Sequence, residues 1–166
     1  MRGKFLAIAV ASSLVVTGLG LSLLRPVVLA DTDGTGSAMQ MQGAMDEGIP
    51  SYHAYAPKPP FPETLDPKQF RDSLNRNVYA MAAKIKPVLF QQPCYCYCDR
   101  HVGHKSLLDC YMSEHASGCD ECRKEAVLAY EQTLKGKTPA EIRASIIRGD
   151  WKSVDLERYS KGAPPR

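Results

Sequence analysis

The chain has 166 residues, with 21 Lys and Arg against 18 Asp and Glu and a formal charge of +3. The three surplus cations, Arg2, Lys4 and Arg25, all lie in the first thirty residues, so from Asp31 onward the chain balances at 18 against 18. Such a balance, with no basic run interleaved with aromatics, argues against nucleic acid, whose phosphates call for clustered Lys and Arg, and against docking on an anionic membrane surface.

Met1-Arg2-Gly3-Lys4 makes a positive start, and the twenty residues from Phe5 to Leu24 carry no charge, the layout of an export signal. A removable signal core is about 7 to 15 residues and a spanning helix about 20. Residues 1–30 are therefore read as a signal peptide or membrane anchor, with Val28-Leu29-Ala30 offering a cleavage point before Asp31. The expected location is extracytoplasmic, in a periplasm or at a cell surface, with membrane contact only through this segment if it stays uncut.

Residues 31–62 contain five prolines and four glycines, with Ile49 and Phe61 the only large aliphatic or Phe residues, too little apolar surface to fold alone. They are read as a flexible linker. Met39, Met41 and Met45 supply soft thioethers suited to Cu(I), and His53 is taken as incidental.

Residues 63–160 are read as one small, mainly α domain, of a size that often gains from a metal or disulfides. Asp66-Pro67 predicts a helix start, continued by Phe70, Leu74, Val78, Met81 and Ile85 at helical spacing and ended by Pro87 near Lys86. Val88-Leu89-Phe90, between Pro87 and Pro93, is expected to run extended toward the cysteines. A second helix is expected over 120–134, with Val127, Tyr130 and Leu134 on one face and Gly136 as a left-handed C-cap. Thr138-Pro139-Ala140-Glu141 predicts a third, with a capping box, Ile142 and Ile146 as its stripe, and Gly149 ending it before Trp151.

All six cysteines fall within 29 residues: Cys94, Cys96 and Cys98 in alternation, then Cys110, then Cys119 and Cys122, with His101, His104 and His115 among them. The Cys119–Cys122 spacing lets a turn entering a helix aim two sulfurs at one ion, and a helix N-terminus favours the thiolate. If extended, the Cys94–Cys96–Cys98 run would space its sulfurs about 6.5 Å apart on one face, with Tyr95 and Tyr97 covering the other. Two sulfurs on one tetrahedral zinc lie about 3.8 Å apart. Either the run coils around a single centre or its thiolates spread over more than one ion, and the surplus of donors favours the latter. The candidate ligands are Cys94, Cys96, Cys98, His104, Cys110, Cys119 and Cys122; His104 stands ahead of His101 and His115 because it lies between the cysteine groups.

Two other readings use the same residues. An even number of cysteines in an exported domain also fits a disulfide-stapled interaction module, although cysteines two apart are poorly placed to pair and residues 31–93 and 123–166 contain none. A thiol–disulfide oxidoreductase built on Cys119 and Cys122 lacks the βαβ pattern of the thioredoxin kind.

The segment Pro93-Cys94-Tyr95-Cys96-Tyr97-Cys98, followed by Gly103-His104 and Cys110-Tyr111, resembles the bacterial exported proteins and lipoproteins named for a PCYCGC motif. It differs at Tyr97, where the motif has glycine, and has no lipoprotein cysteine in the leader. The resemblance implies a shared Cys/His domain and no particular reaction. The expected function is non-enzymatic metal binding, with Cu(I) ahead of Zn2+ as the ion, an iron–sulfur centre only a minor option, and an extracytoplasmic protein as a conceivable further partner.

Overall fold

A computed structural model describes residues 48–56 and 58–162. The leader and Met39, Met41 and Met45 lie outside the described residues. Among those described, the regular structure is helical throughout, and no helix is long and apolar enough to cross a membrane.

Asp66 caps a start, as its sequence predicts, accepting the Lys68 N–H at 2.9 Å, but what it caps is only the 3-10 turn Pro67–Gln69. The chain then reopens, and helix α1 (Ser73–Lys84) begins at a second cap, Asp72, whose carboxylate accepts the Asn75 N–H at 2.8 Å and the Asn75 side chain at 3.1 Å. The single helix expected here is therefore divided, because two aspartates six residues apart each offer an N-cap. Pro87 also behaves differently from expectation. It sits in the first turn of a short helix α2 (Lys86–Leu89), where its missing N–H costs nothing. Val88 and Leu89 accordingly lie in a helical turn and not in an extended crossing.

Helix α3 (Cys98–His101) and the 3-10 turns Leu107–Tyr111 and Glu114–Gly118 carry the chain to helix α4 (Asp120–Leu134). Six consecutive residues of α4, Glu125 to Tyr130, are buried, the signature of a helix enclosed on all sides. It packs against α1, against α5 (Pro139–Ile147) and against the 3-10 turn Asp150–Ser153 that carries Trp151. Leu134, expected on the buried face, is instead 49% exposed at the helix end. The C-terminal capping follows the expectation: Gly136 is left-handed, its N–H reaches the Thr133 carbonyl, and the Lys137 N–H reaches Gln132. The Thr138–Glu141 capping box forms, Ile142 and Ile146 are fully buried, and Gly149 is left-handed at the end of α5.

The last part of the stretch read as linker docks on this core. Pro50 is buried, Ser51 donates from its N–H and hydroxyl to Asp99, Tyr52 lies under Arg143, and His53 stacks on Phe90 at 3.9 Å. Across the other side, the Asn77 side chain donates to the Tyr159 carbonyl at 2.7 Å and ties the C-terminal turns to α1.

Asp72→Ala removes both bonds to Asn75 and is expected to cost about 1 kcal/mol in urea unfolding. Leu134→Ala, at an exposed position, should stay within about 0.5 kcal/mol of the parent.

Candidate metal centre

The Cys94–Cys98 run is not extended. The Tyr97 N–H bonds back to the Cys94 carbonyl at 3.0 Å, and Tyr97 is left-handed at φ 56°. This turn curls three sulfurs into one group, all within 4.8 Å of one another. Glu125 holds the start of the turn: its carboxyl, wholly buried on α4, accepts the Tyr95 N–H at 2.8 Å.

Opposite this turn stand donors from three further elements. Cys110 lies on the 3-10 turn Leu107–Tyr111, anchored by fully buried Leu107, Leu108 and Tyr111. The Asp109 side chain shapes its approach by accepting the Lys105 N–H at 2.6 Å and the Ser106 hydroxyl at 3.3 Å. Cys122 lies in the first turn of α4, and its carbonyl accepts the Tyr111 hydroxyl at 2.9 Å. His115 lies on the turn Glu114–Gly118, whose loop is fixed by Asn75 and Arg123 donating to the Ser117 carbonyl at 3.2 and 3.1 Å.

The donors converge in two neighbouring sets. Cys94, Cys96 and Cys122 form a sulfur triangle with sides of 3.4, 3.3 and 3.6 Å. Cys98 and His104 Nδ1 lie 3.4 and 3.3 Å from Cys110, and with His115 these four keep within 4.8 Å of one another. The His104 and His115 rings meet edge to face at 4.8 Å. All six cysteines are free thiols.

Six of the seven residues chosen from sequence thus lie in the convergent sets. Cys119 stands at the rim, its sulfur 3.4 Å from the Glu121 carboxylate and 3.5 Å from the Cys122 N–H, outside the three- and four-donor groups. The contact with Cys122 lowers its pKa, but Cys96 and burial outweigh that and push the Cys119 thiol up to about 12, so the helix terminus does not make it the thiolate expected there. His101 is exposed and apart from the groups. Two participants were not chosen: His115, whose placement depends on a loop path that spacing does not encode, and Glu125, a lone acid three residues beyond Cys122 on an otherwise apolar helix face. That break in an apolar face is the signal by which Glu125 could be found.

The crowding of sulfur sets the protonation pattern. The neighbouring Cys110, Cys119, Cys122 and Cys94 thiols hold Cys96 well below the ordinary thiol range, and Cys110 and Cys94 lower Cys98. Cys122 is raised by Cys110 and Cys119. Thiolate character therefore falls on Cys96 and Cys98 while the other thiols keep their protons, and an incoming cation would displace protons from those. Burial, and then the neighbouring His115, lower the pKa of His104 and favour the neutral imidazole that ligates metals. Burial raises Glu125 to about 8, against the opposing effects of the Tyr95 N–H and Cys94.

Tyr97 covers the turn with its ring, edge-on to Tyr95 at 5.9 Å and under the Arg100 guanidinium at 4.1 Å. The Pro50–Ser51 strap lies over Cys94, Cys98 and His104 on the other side, enclosing that flank with Asp99 and Ser106.

Two predictions test this construction. A left-handed backbone costs a side chain about 1–2 kcal/mol and the ring contacts of Tyr97 offset part of that, so Tyr97→Gly should keep stability within about 1 kcal/mol, whereas Tyr97→Val, which keeps the strain and loses the ring contacts, should lose about 1–2 kcal/mol in urea unfolding. The pKa of Glu125 is raised on folding, so the folded state binds more protons than the unfolded one between about 4.5 and 8, and its contribution to stability falls as pH rises through that window. In the reduced, metal-free protein, Glu125→Gln should match the parent near the bottom of the window and be more stable at its top by on the order of a few kcal/mol, read from unfolding curves at each pH.

Comparison with known proteins agrees with the motif. No curated protein and no solved structure matches the chain. The family described as "Protein of unknown function with PCYCGC motif" matches residues 53–153, a span that runs from His53 on the strap through every donor of the centre to the turn that carries Trp151. The chain belongs to the PCYCGC-motif family.

Proposed function

We propose that this chain binds a thiophilic metal ion outside the cytoplasm, without catalysing a reaction, and that the Cys/His centre is where it does so. The observation that carries the reading is the approach of two imidazoles to sulfurs of one cluster: His104 Nδ1 lies 3.3 Å from Cys110 and His115 Nε2 lies 3.8 Å from Cys96. A disulfide framework has no use for imidazoles at bonding distance from its sulfurs, whereas a metal site does. The apolar Phe5–Leu24 stretch behind a basic start supports export.

The donor set bears on the choice of ion. Thiolate abundance and the methionines of the N-terminal stretch suit Cu(I), but a set of four that mixes sulfur with imidazole, Cys98, His104, Cys110 and His115, suits tetrahedral zinc better. Zinc is therefore placed ahead of copper, and the function is binding and handling of that ion by an extracytoplasmic protein.

Residues 31–166, purified from the exported compartment without added metal, should contain near-stoichiometric zinc or copper, with thiols that react only after chelation or denaturation. Elemental analysis and thiol counting on one sample read both quantities and name the ion. A protein with no metal, no free thiol and no metal uptake after mild reduction would refute the reading and leave a disulfide-stapled interaction domain.

A further inference from the structure

We propose that the centre holds two metal ions bridged by one shared thiolate, that of Cys98 or Cys110, an inference that rests on the metal-binding reading above. Seven donors, from five cysteines and two histidines, lie in overlapping groups within 4.8 Å. A single tetrahedral ion uses four of them and would leave three thiol or imidazole groups crowded against it with no role. Two tetrahedral ions offer eight coordination positions, and seven donors fill eight positions when one thiolate is shared.

The geometry narrows the shared thiolate to two. The Cys94, Cys96 and Cys122 triangle has sides of 3.3 to 3.6 Å, close to the separation of about 3.8 Å between sulfurs on one tetrahedral ion. It supplies three corners of the first site. Cys98, His104, Cys110 and His115 form the second set by themselves. Two thiolates of that second set also reach two corners of the triangle, Cys110 lying within 4.8 Å of Cys94 and Cys122 and Cys98 within 4.8 Å of Cys94 and Cys96, so either of them supplies the fourth corner of the first set. Every donor is then used once and the shared thiolate twice, giving one ion four sulfurs and the other two sulfurs and two imidazoles.

Charge points the same way. Cys94, Cys98, Cys110 and Cys122 are buried to 3% exposure or less, and a buried anion needs a compensating charge. Five thiolates carry five negative charges. One divalent ion offsets two of them and two divalent ions offset four, the thiol protons passing to solvent as the ions bind.

His115 marks the rival arrangement. It also groups with Cys96 and Cys122; assigned there, it would complete the first ion and leave the second with Cys98, His104 and Cys110, and no bridge would be needed. The two arrangements differ in whether the ions share a ligand, which a paramagnetic probe reports.

The test is titration of the reduced, metal-free full chain with Co2+, followed by displacement with Zn2+. The expected result is two Co2+ per chain, with a high-spin electron paramagnetic resonance signal that grows with the first equivalent and is lost with the second, as a shared thiolate couples the two spins. Cys96→Ser and His104→Ala, each at a half-exposed position, should lower uptake from two ions to one and keep the signal, with helicity by circular dichroism unchanged. Two ions whose signals add independently would overturn the bridge. One ion per chain in the unmodified protein would overturn the two-ion centre while leaving the metal-binding reading standing, and no uptake of either ion would overturn both. Because the stoichiometry and signal of the unmodified chain decide between these outcomes, a variant that fails to fold does not remove the test.

Discussion

Four cysteines, Cys94, Cys98, Cys110 and Cys122, occupy core positions alongside Leu107, Leu108, Tyr111 and Ala126, and the rest of the structure answers to the two states those groups can take. As thiols they pack like small hydrophobes. As thiolates they are buried anions that the interior tolerates only beside a cation. The core and the Cys/His centre are the same object, so an ion bound there would draw on the contacts that folding uses, as in other small domains whose metal affinity is also folding free energy. The domain is small enough for that linkage to matter, because short chains bury a modest share of their surface.

Helix α4 makes this arrangement workable. It brings Cys122 to the centre at its first turn, buries Glu125 one turn later against the Tyr95 N–H, and continues through Ala126 to Tyr130 into the apolar core. Cys122 and Glu125 stand three residues apart and so share a face. That pairing lets one rigid element position both a donor and the backbone of the Cys94–Cys98 turn. Cys110 is fixed from a different direction, by the buried leucines of its own 3-10 turn and by Tyr111, whose hydroxyl returns to the Cys122 carbonyl. Donors held on separately anchored elements keep their relative positions without needing one another, which is what a preformed site requires.

The parts of the fold that were legible in the sequence are those with local signatures. Capping residues and helical periodicity gave α4 its bounds and α5 its capping box, and Gly136 and Gly149 their left-handed turns. The division before α1 was missed because Asp66 and Asp72 both read as caps and local spacing does not rank them. The path of Val88–Phe90 was missed because Pro87 serves as readily at a helix start as at a stop. For the centre, residue type and clustering were enough to name most of the donors. Which of them meet was not legible, since His115 and Cys119 lie four residues apart and only the loop held by Asn75 and Arg123 turns His115 inward. Glu125 was illegible as a participant because its partner is a backbone N–H thirty residues away.

Tyr97 shows how the motif and the geometry fit together. The turn that gathers Cys94, Cys96 and Cys98 needs a left-handed residue at its fourth position, and the glycine in the family's namesake motif meets that need at no steric cost. This chain meets it with tyrosine, at a strain of about 1–2 kcal/mol. The ring gives something back: it carries the Arg100 guanidinium and meets Tyr95 edge-on, and contacts of these kinds are worth roughly 0.5–1 kcal/mol each. The two sides come close to cancelling, so the backbone conformation is the fixed requirement and the residue identity is the variable.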